Sequence, residues 1–299
     1  MSGISGRRLE RGRLERGRPE LGRLERCFDD ARTRGSGVLV GYVPLFSADR
    51  SLVLAAVEAY LEGGVDVIQV GTPAPYPFLD GRTMARCHLG AFGAGLGAED
   101  AFKTCGVIRD RFPDVPLVPM VFYSAAIALG IRSLVELALS AGVDALDTPD
   151  YPGAALGPDH DYRRLVEEAG LGLITVMDTA LPLQPQKRDL VRSVLEFGSG
   201  FIFLLLTQGG LTGPNHRLNV DTLPAAAGQM ALHLEEMGKR LPVIAVCGID
   251  SAEKASLVTR SRHIDGVLVG SALAGRVLDG RPWREIRGFC RGLKEALRR

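Results

Sequence analysis

Eight short apolar, β-branched runs recur along this chain, and helical sequence follows each of them. The runs are Val38–Val43, Val65–Val70, Leu117–Val121, Ala145–Thr148, Leu171–Val176, Phe201–Leu206, Val243–Val246 and Val267–Val269. Amphipathic helices are predicted over 48–62, 98–112, 130–141, 159–169, 184–197, 220–240, 251–260 and 283–298. In the first of these, Leu52, Ala55, Ala56 and Ala59 are expected to share one face. The strands are nearly continuous in apolar residues, which suits strands covered on both sides. A strand–helix unit repeated eight times predicts an α/β protein closed as a (β/α)8 TIM barrel. An open doubly wound sheet is the competing arrangement, but no GxGxxG follows the first strand.

The chain has 299 residues, 46% of them hydrophobic, enough to fill such a core. A net charge of +1 gives no global basic field for nucleic acid. The apolar runs are strand-sized, well short of the roughly 20 residues of a membrane helix. Neither nucleic acid nor a membrane is therefore expected as a partner. Cys27, Cys87, Cys105, Cys247 and Cys290 are scattered and form no CxxC pair. They read as inert thiols of a cytoplasmic protein, with no disulfide framework and no metal site.

Residues 8–27 form a degenerate pentapeptide repeat: RLERG, RLERG, RPELG, RLERC. A five-residue period turns about 140° past each full helical turn, so Leu9, Leu14 and Leu24 do not line one face. Gly12, Gly17, Gly22 and Pro19 weaken a helix further. Residues 1–20 are read as a disordered tail and residues 21–299 as one barrel domain.

In a barrel, chemistry sits in the loops at the C-terminal ends of the strands. The second run places Gln69 in the strand and Asp80 beyond a Pro-rich loop. Phe122, Tyr123 and Ser124 follow the third strand, and Pro149-Asp150-Tyr151-Pro152 the fourth. The sixth leads into Thr207-Gln208-Gly209-Gly210-Leu211-Thr212-Gly213, a Gly-rich segment suited to closing over a ligand. The seventh and eighth end in Cys247-Gly248-Ile249-Asp250 and Gly270-Ser271. Barrels commonly bind phosphate there, through loop amides and the N-terminus of a short extra helix.

Together these motifs resemble the tryptophan synthase alpha subunit family, over about residues 23–298. The carriers are Gln69-Val70-Gly71-Thr72-Pro73, Pro77-Phe78-Leu79-Asp80-Gly81, Pro149-Asp150-Tyr151-Pro152, Gly210-Leu211-Thr212-Gly213, Gly248-Ile249 and Gly270-Ser271. The resemblance implies a lyase that needs no cofactor. It cleaves indole-3-glycerol phosphate by a retro-aldol reaction and works beside a beta-like subunit. It also implies that Asp80 binds the indole N–H and that the family's acid/base glutamate falls on Gln69. Tyr42, Phe122 and Tyr123 then belong to the substrate pocket, with Thr212 and Gly213 in the closing loop. Gly248, Ile249, Gly270 and Ser271 would hold the phosphate.

The departures are local. Gln69 has no titratable proton near neutral pH. The aspartate of the family's Pro-Phe-Ser-Asp-Pro is gone, with Ala74-Pro75-Tyr76 in that loop, Gln208 stands where the family has an arginine, and Val246-Cys247 where it has Gly-Phe. The sequence thus predicts a lyase with altered acid/base chemistry, in which Asp80 or one of Tyr42, Tyr76 and Tyr123 moves the proton. Two alternatives are a catalytically impaired regulatory subunit and a relative with a new reaction in specialised metabolism. Asp80 has its own alternative, as a mere cap of the loop before Gly81.

Overall fold

A computed structural model describes residues 22–46, 50–74, 80–151, 161–207 and 218–299. The eight apolar runs become β1 (Val38–Pro44), β2 (Val67–Gly71), β3 (Leu117–Met120), β4 (Ala145–Asp147), β5 (Gly172–Asp178), β6 (Ile202–Leu205), β7 (Val243–Val246) and β8 (Gly266–Val269). All pair in parallel, in chain order, and β8 closes on β1 with Val38 opposite Gly266. The predicted barrel is therefore the observed fold. The tail read over residues 1–20 lies outside the described residues.

Twelve α-helices surround the barrel among the described residues. They are α1 (Arg23–Thr33), α2 (Arg50–Glu62), α3 (Arg82–Gly93), α4 (Ala98–Arg111), α5 (Tyr123–Leu129), α6 (Ile131–Ser140), α7 (Asp161–Glu168), α8 (Arg188–Phe197), α9 (Leu223–Glu236), α10 (Ala252–Thr259), α11 (Ser271–Leu278) and α12 (Trp283–Ala296). Helix α2 buries Val53, Ala56, Val57, Ala59 and Tyr60, so Ala56 and Ala59 of the expected face turn inward while Leu52 and Ala55 are half-buried. Gly41 on β1 makes this possible, because a Cβ there would stand 3.2 Å from the Tyr60 ring. Helix α1 was not among the predicted helices and starts inside the last unit of the repeat, past the residues read as a tail. Past Gly22 the glycines stop, and Leu24, Phe28 and Ala31 form a buried i, i+4, i+7 stripe.

One device recurs at the N-terminal end of the barrel. The Asp66 carboxylate, just before β2, accepts the Leu39 N–H of β1 at 2.8 Å. Asp144, before β4, does the same for Leu117 of β3, and Asp265, before β8, for Val243 of β7. The Ser199 hydroxyl, before β6, takes the Leu173 N–H of β5. Each odd strand thus has an N–H of its first or second residue satisfied by a side chain just ahead of the next even strand. Arg109 and Arg23 hold Asp144 at 2.8 and 3.0 Å, while Lys294 holds Asp66. This end is locked by structure, which leaves the opposite end for chemistry.

Candidate functional site

The cavity lies among the C-terminal ends of the strands and measures about 170 Å³. Strands alternate in supplying its walls, as in filled barrels. Tyr42, Met120, Val176 and Val246 come from odd strands, and Gln69, Asp147, Phe203, Leu205 and Leu268 from even ones. Asp80 and Met84 enter from the start of α3, Phe122 from the residue before α5, and Gly270 with Ser271 from the start of α11. The lining is mostly apolar and suits a flat hydrophobic ring. Gln69, Asp147 and Asp80 converge on it from β2, β4 and the α3 entry, beside the hydroxyls of Tyr42 and Ser271.

Gln69 is buried, and its Nε2–H donates to Asp147 Oδ2 at 2.7 Å. Asp147 is buried as well, and its Oδ1 has no hydrogen-bond partner among the described residues. Burial pushes the Asp147 carboxyl up to about 8, with the Gln69 hydrogen bond opposing and the Asp150 charge adding to the shift. Asp147 therefore carries its proton through most of the neutral range. Asp147 did not stand out in the sequence. It closes the short apolar run of β4, and only the register of that strand, with Met120 opposite Asp147, shows that it faces the cavity.

Asp80 Oδ2 lies 3.1 Å from His88 Nε2, although the pair is not aligned as a hydrogen bond. His88 sits in the second half of α3, buried, with its ring edge-on to Phe122 at 6.4 Å. It is a second residue that sequence reasoning missed, because α3 itself was missed. That helix begins at Gly81 without a side-chain cap and contains Gly90 and Gly93.

Tyr42 fills the cavity floor, and a Cβ at Gly71 would overlap its hydroxyl. The hydroxyl is buried without a partner among the described residues. Burial, with Asp80, Cys87 and Asp147 adding, raises it well above its usual value. That makes it a poor proton donor at neutral pH. Tyr123 is not brought to the cavity. Its N–H is fixed by Asp150 Oδ1 at 2.6 Å, and its ring packs with Tyr151 and Tyr162 at 5.2 and 5.9 Å. Tyr76, Thr212 and Gly213 lie outside the described residues.

Gly270 and Ser271 open α11 at the cavity rim, where the first N–H groups of a helix point outward. Gly248 takes φ +83°, preceded by Cys247 at φ +74°, and a Cβ on Gly248 would overlap Leu218. Ile249 is buried beside it and does not line the cavity. All five cysteines are free, and burial raises the thiol of each to about 12. Cys247, although on the cavity wall, is therefore no nucleophile near neutral pH.

The family model described as tryptophan synthase alpha chain matches residues 28–285. The tryptophan synthase alpha chain of Methanosarcina acetivorans is 30% identical over 271 residues, covering 90% of this chain and 92% of its own length. That of Caldanaerobacter subterraneus is 26% identical over 278 residues, covering 92% and 99%. Among solved structures, tryptophan synthase from Mycobacterium tuberculosis superposes with a TM-score of 0.79 at 25% identity, over 94% of this chain and 100% of that one.

Proposed function

The chain belongs to the tryptophan synthase alpha chain family, and on that premise we propose that it is a lyase that cleaves indole-3-glycerol phosphate, or a closely related phosphorylated substrate, by a retro-aldol reaction. The observation that carries this reading is the convergence of Asp80, an apolar slot and the α11 N-terminus on one cavity. Met120, Phe122 and Phe203 line the slot and would flank an aromatic ring. Asp80 stands at the cavity edge to receive the ring N–H and to stabilise positive charge as it develops there. His88 Nε2 stands 3.1 Å from that carboxylate. Gly270 and Ser271, with the turn at Gly248 and Ile249, would take the phosphate through backbone N–H groups and the Ser271 hydroxyl. Thr212 and Gly213 would cover the ligand from the sixth loop. Gln69 binds and orients without exchanging a proton, so the acid/base chemistry differs from that implied by a glutamate on β2. A tryptophan-synthase-beta-like subunit is the proposed partner, and a cytoplasmic setting accords with the free thiols.

The test is indole release from indole-3-glycerol phosphate by the purified chain. Wild type is expected to turn over. Asp80→Ala is expected to lose roughly 10²–10³-fold in kcat/KM, the usual scale for removing one electrostatic contact to the transition state. Unchanged turnover in Asp80→Ala would remove Asp80 from the site.

A further inference from the structure

We propose that Asp147 is the group that moves the proton in this cleavage, a carboxyl placed on β4 in exchange for the one that β2 lacks. The inference rests on the lyase reading above. Its basis is geometric. Asp147 and Gln69 meet in the cavity wall from successive even strands, with 2.7 Å between Oδ2 and Nε2. One Asp147 oxygen is held by the amide, and the other has no partner among the described residues. The pair thus holds a carboxyl in the cavity wall, with one buried oxygen that no described group engages. Asp80 borders the same slot and is placed to balance a positive ring.

The step balances without any further reactant. Asp147 in its acid form gives the Oδ1 proton to ring carbon C3, and positive charge spreads to the ring nitrogen beside Asp80. The Asp147 carboxylate then takes the proton of the hydroxyl on the side-chain carbon joined to C3. The bond from C3 to that carbon breaks, and its electron pair returns to the ring. The hydroxyl-bearing carbon becomes the aldehyde of glyceraldehyde 3-phosphate. The ring keeps one proton, Asp147 regains another, and nothing is oxidised or reduced.

The titratable groups around Asp147 are Tyr42 from β1, Asp80 ahead of α3 with His88 behind it, Asp150 after β4, and Tyr162 of α7. Since burial sets Asp147 at about 8, turnover by the acid form falls as pH rises through that value.

The experiment compares wild type, Asp147→Asn and the exchange variant Gln69→Glu/Asp147→Asn, with two readouts. One is indole release from indole-3-glycerol phosphate. The other is deuterium uptake at C3 of free indole in heavy water, which reads the proton transfer without bond cleavage. We expect Asp147→Asn to lower kcat by roughly 10²–10⁴-fold with KM within about threefold of wild type. The alkaline limb should vanish, and C3 exchange should fall in parallel. The exchange variant should recover at least about tenfold over Asp147→Asn, and the loss of the alkaline limb is the readout that a merely structural Asp147 would not move. Wild-type indole release that Asp147→Asn retains within about threefold overturns the proposal and leaves the lyase reading standing. No indole release, with C3 exchange that depends on Asp147, rejects that substrate and supports Asp147. Neither release nor exchange overturns both. Failure of the exchange variant to recover, in a protein that melts like wild type, also counts against Asp147.

Discussion

An amide facing a carboxyl at 2.7 Å can satisfy either protonation state, donating to the carboxylate or accepting from the acid. Two carboxyls at that distance must share a proton. Gln69→Glu alone therefore creates a coupled pair and does not simply restore a lyase, which is why Asp147 must be changed with it. The buried carboxyl also has a consequence for stability. An unfolded aspartate titrates near 3.9, whereas Asp147 is raised to about 8 in the fold. Between those values the native state holds a proton that the unfolded chain has lost. Stability contributed here thus falls as pH rises from about 4 to about 8. Asp147→Asn is expected to melt above wild type at about pH 8, by on the order of a few kcal/mol, with the gap closing toward about pH 4. A gap that ignores pH would contradict the assignment. Gln69 and Asp80 were legible in the sequence because motif and loop chemistry marked them. Asp147 and His88 were not. One closes a three-residue strand too short to show alternation, and the other needs a helix whose glycines hid it.

The elements divide by how strongly local chemistry announces them. All eight strands were visible as apolar runs because burial on both faces leaves little room for polar residues. Helix α10 was visible in the amphipathic stretch 251–260, and its Ser251 Oγ accepts the Lys254 N–H at 3.3 Å. Helix α1 was hidden because its register is set by Phe28 against Phe201, 5.8 Å apart, and not by the repeat that precedes it. Helix α5 is only seven residues long and breaks from α6 at Gly130. The side-chain plugs between strands were illegible too, since nothing local says that Asp144 reaches Leu117 of the neighbouring strand. Asp144→Ala strands Arg109 and the Leu117 N–H together. Removing one partner of a buried pair typically costs about 3–5 kcal/mol. Arg109 keeps carbonyl partners at Gly142, Pro113 and Val115, so about 3 kcal/mol is expected in urea unfolding. A loss under about 1 kcal/mol would mean that the plug is ornamental.

The whole molecule separates stability from chemistry along the barrel axis. Arg23, Arg109 and Lys294 tie carboxylates to strand starts at one end. At the other end the walls stay apolar and two aspartates enter without a lysine or arginine among the described residues of the cavity lining. The order of strands made this division readable in advance, because barrels place chemistry at the C-terminal strand ends. The sequence could not say which carboxyl would face the ligand, since that depends on closure bringing β2 and β4 within one hydrogen bond. Partnership also belongs to this scale. A beta-like subunit mixed with the chain is expected to change the rate of indole release, and a rate indifferent to it would contradict the pairing. The central claim, carbon–carbon cleavage in this cavity, is tested most directly by measuring both products. Wild type incubated with indole-3-glycerol phosphate is predicted to release indole and glyceraldehyde 3-phosphate in equal amounts. A folded wild-type chain that releases no indole, or indole without the triose phosphate, would contradict it.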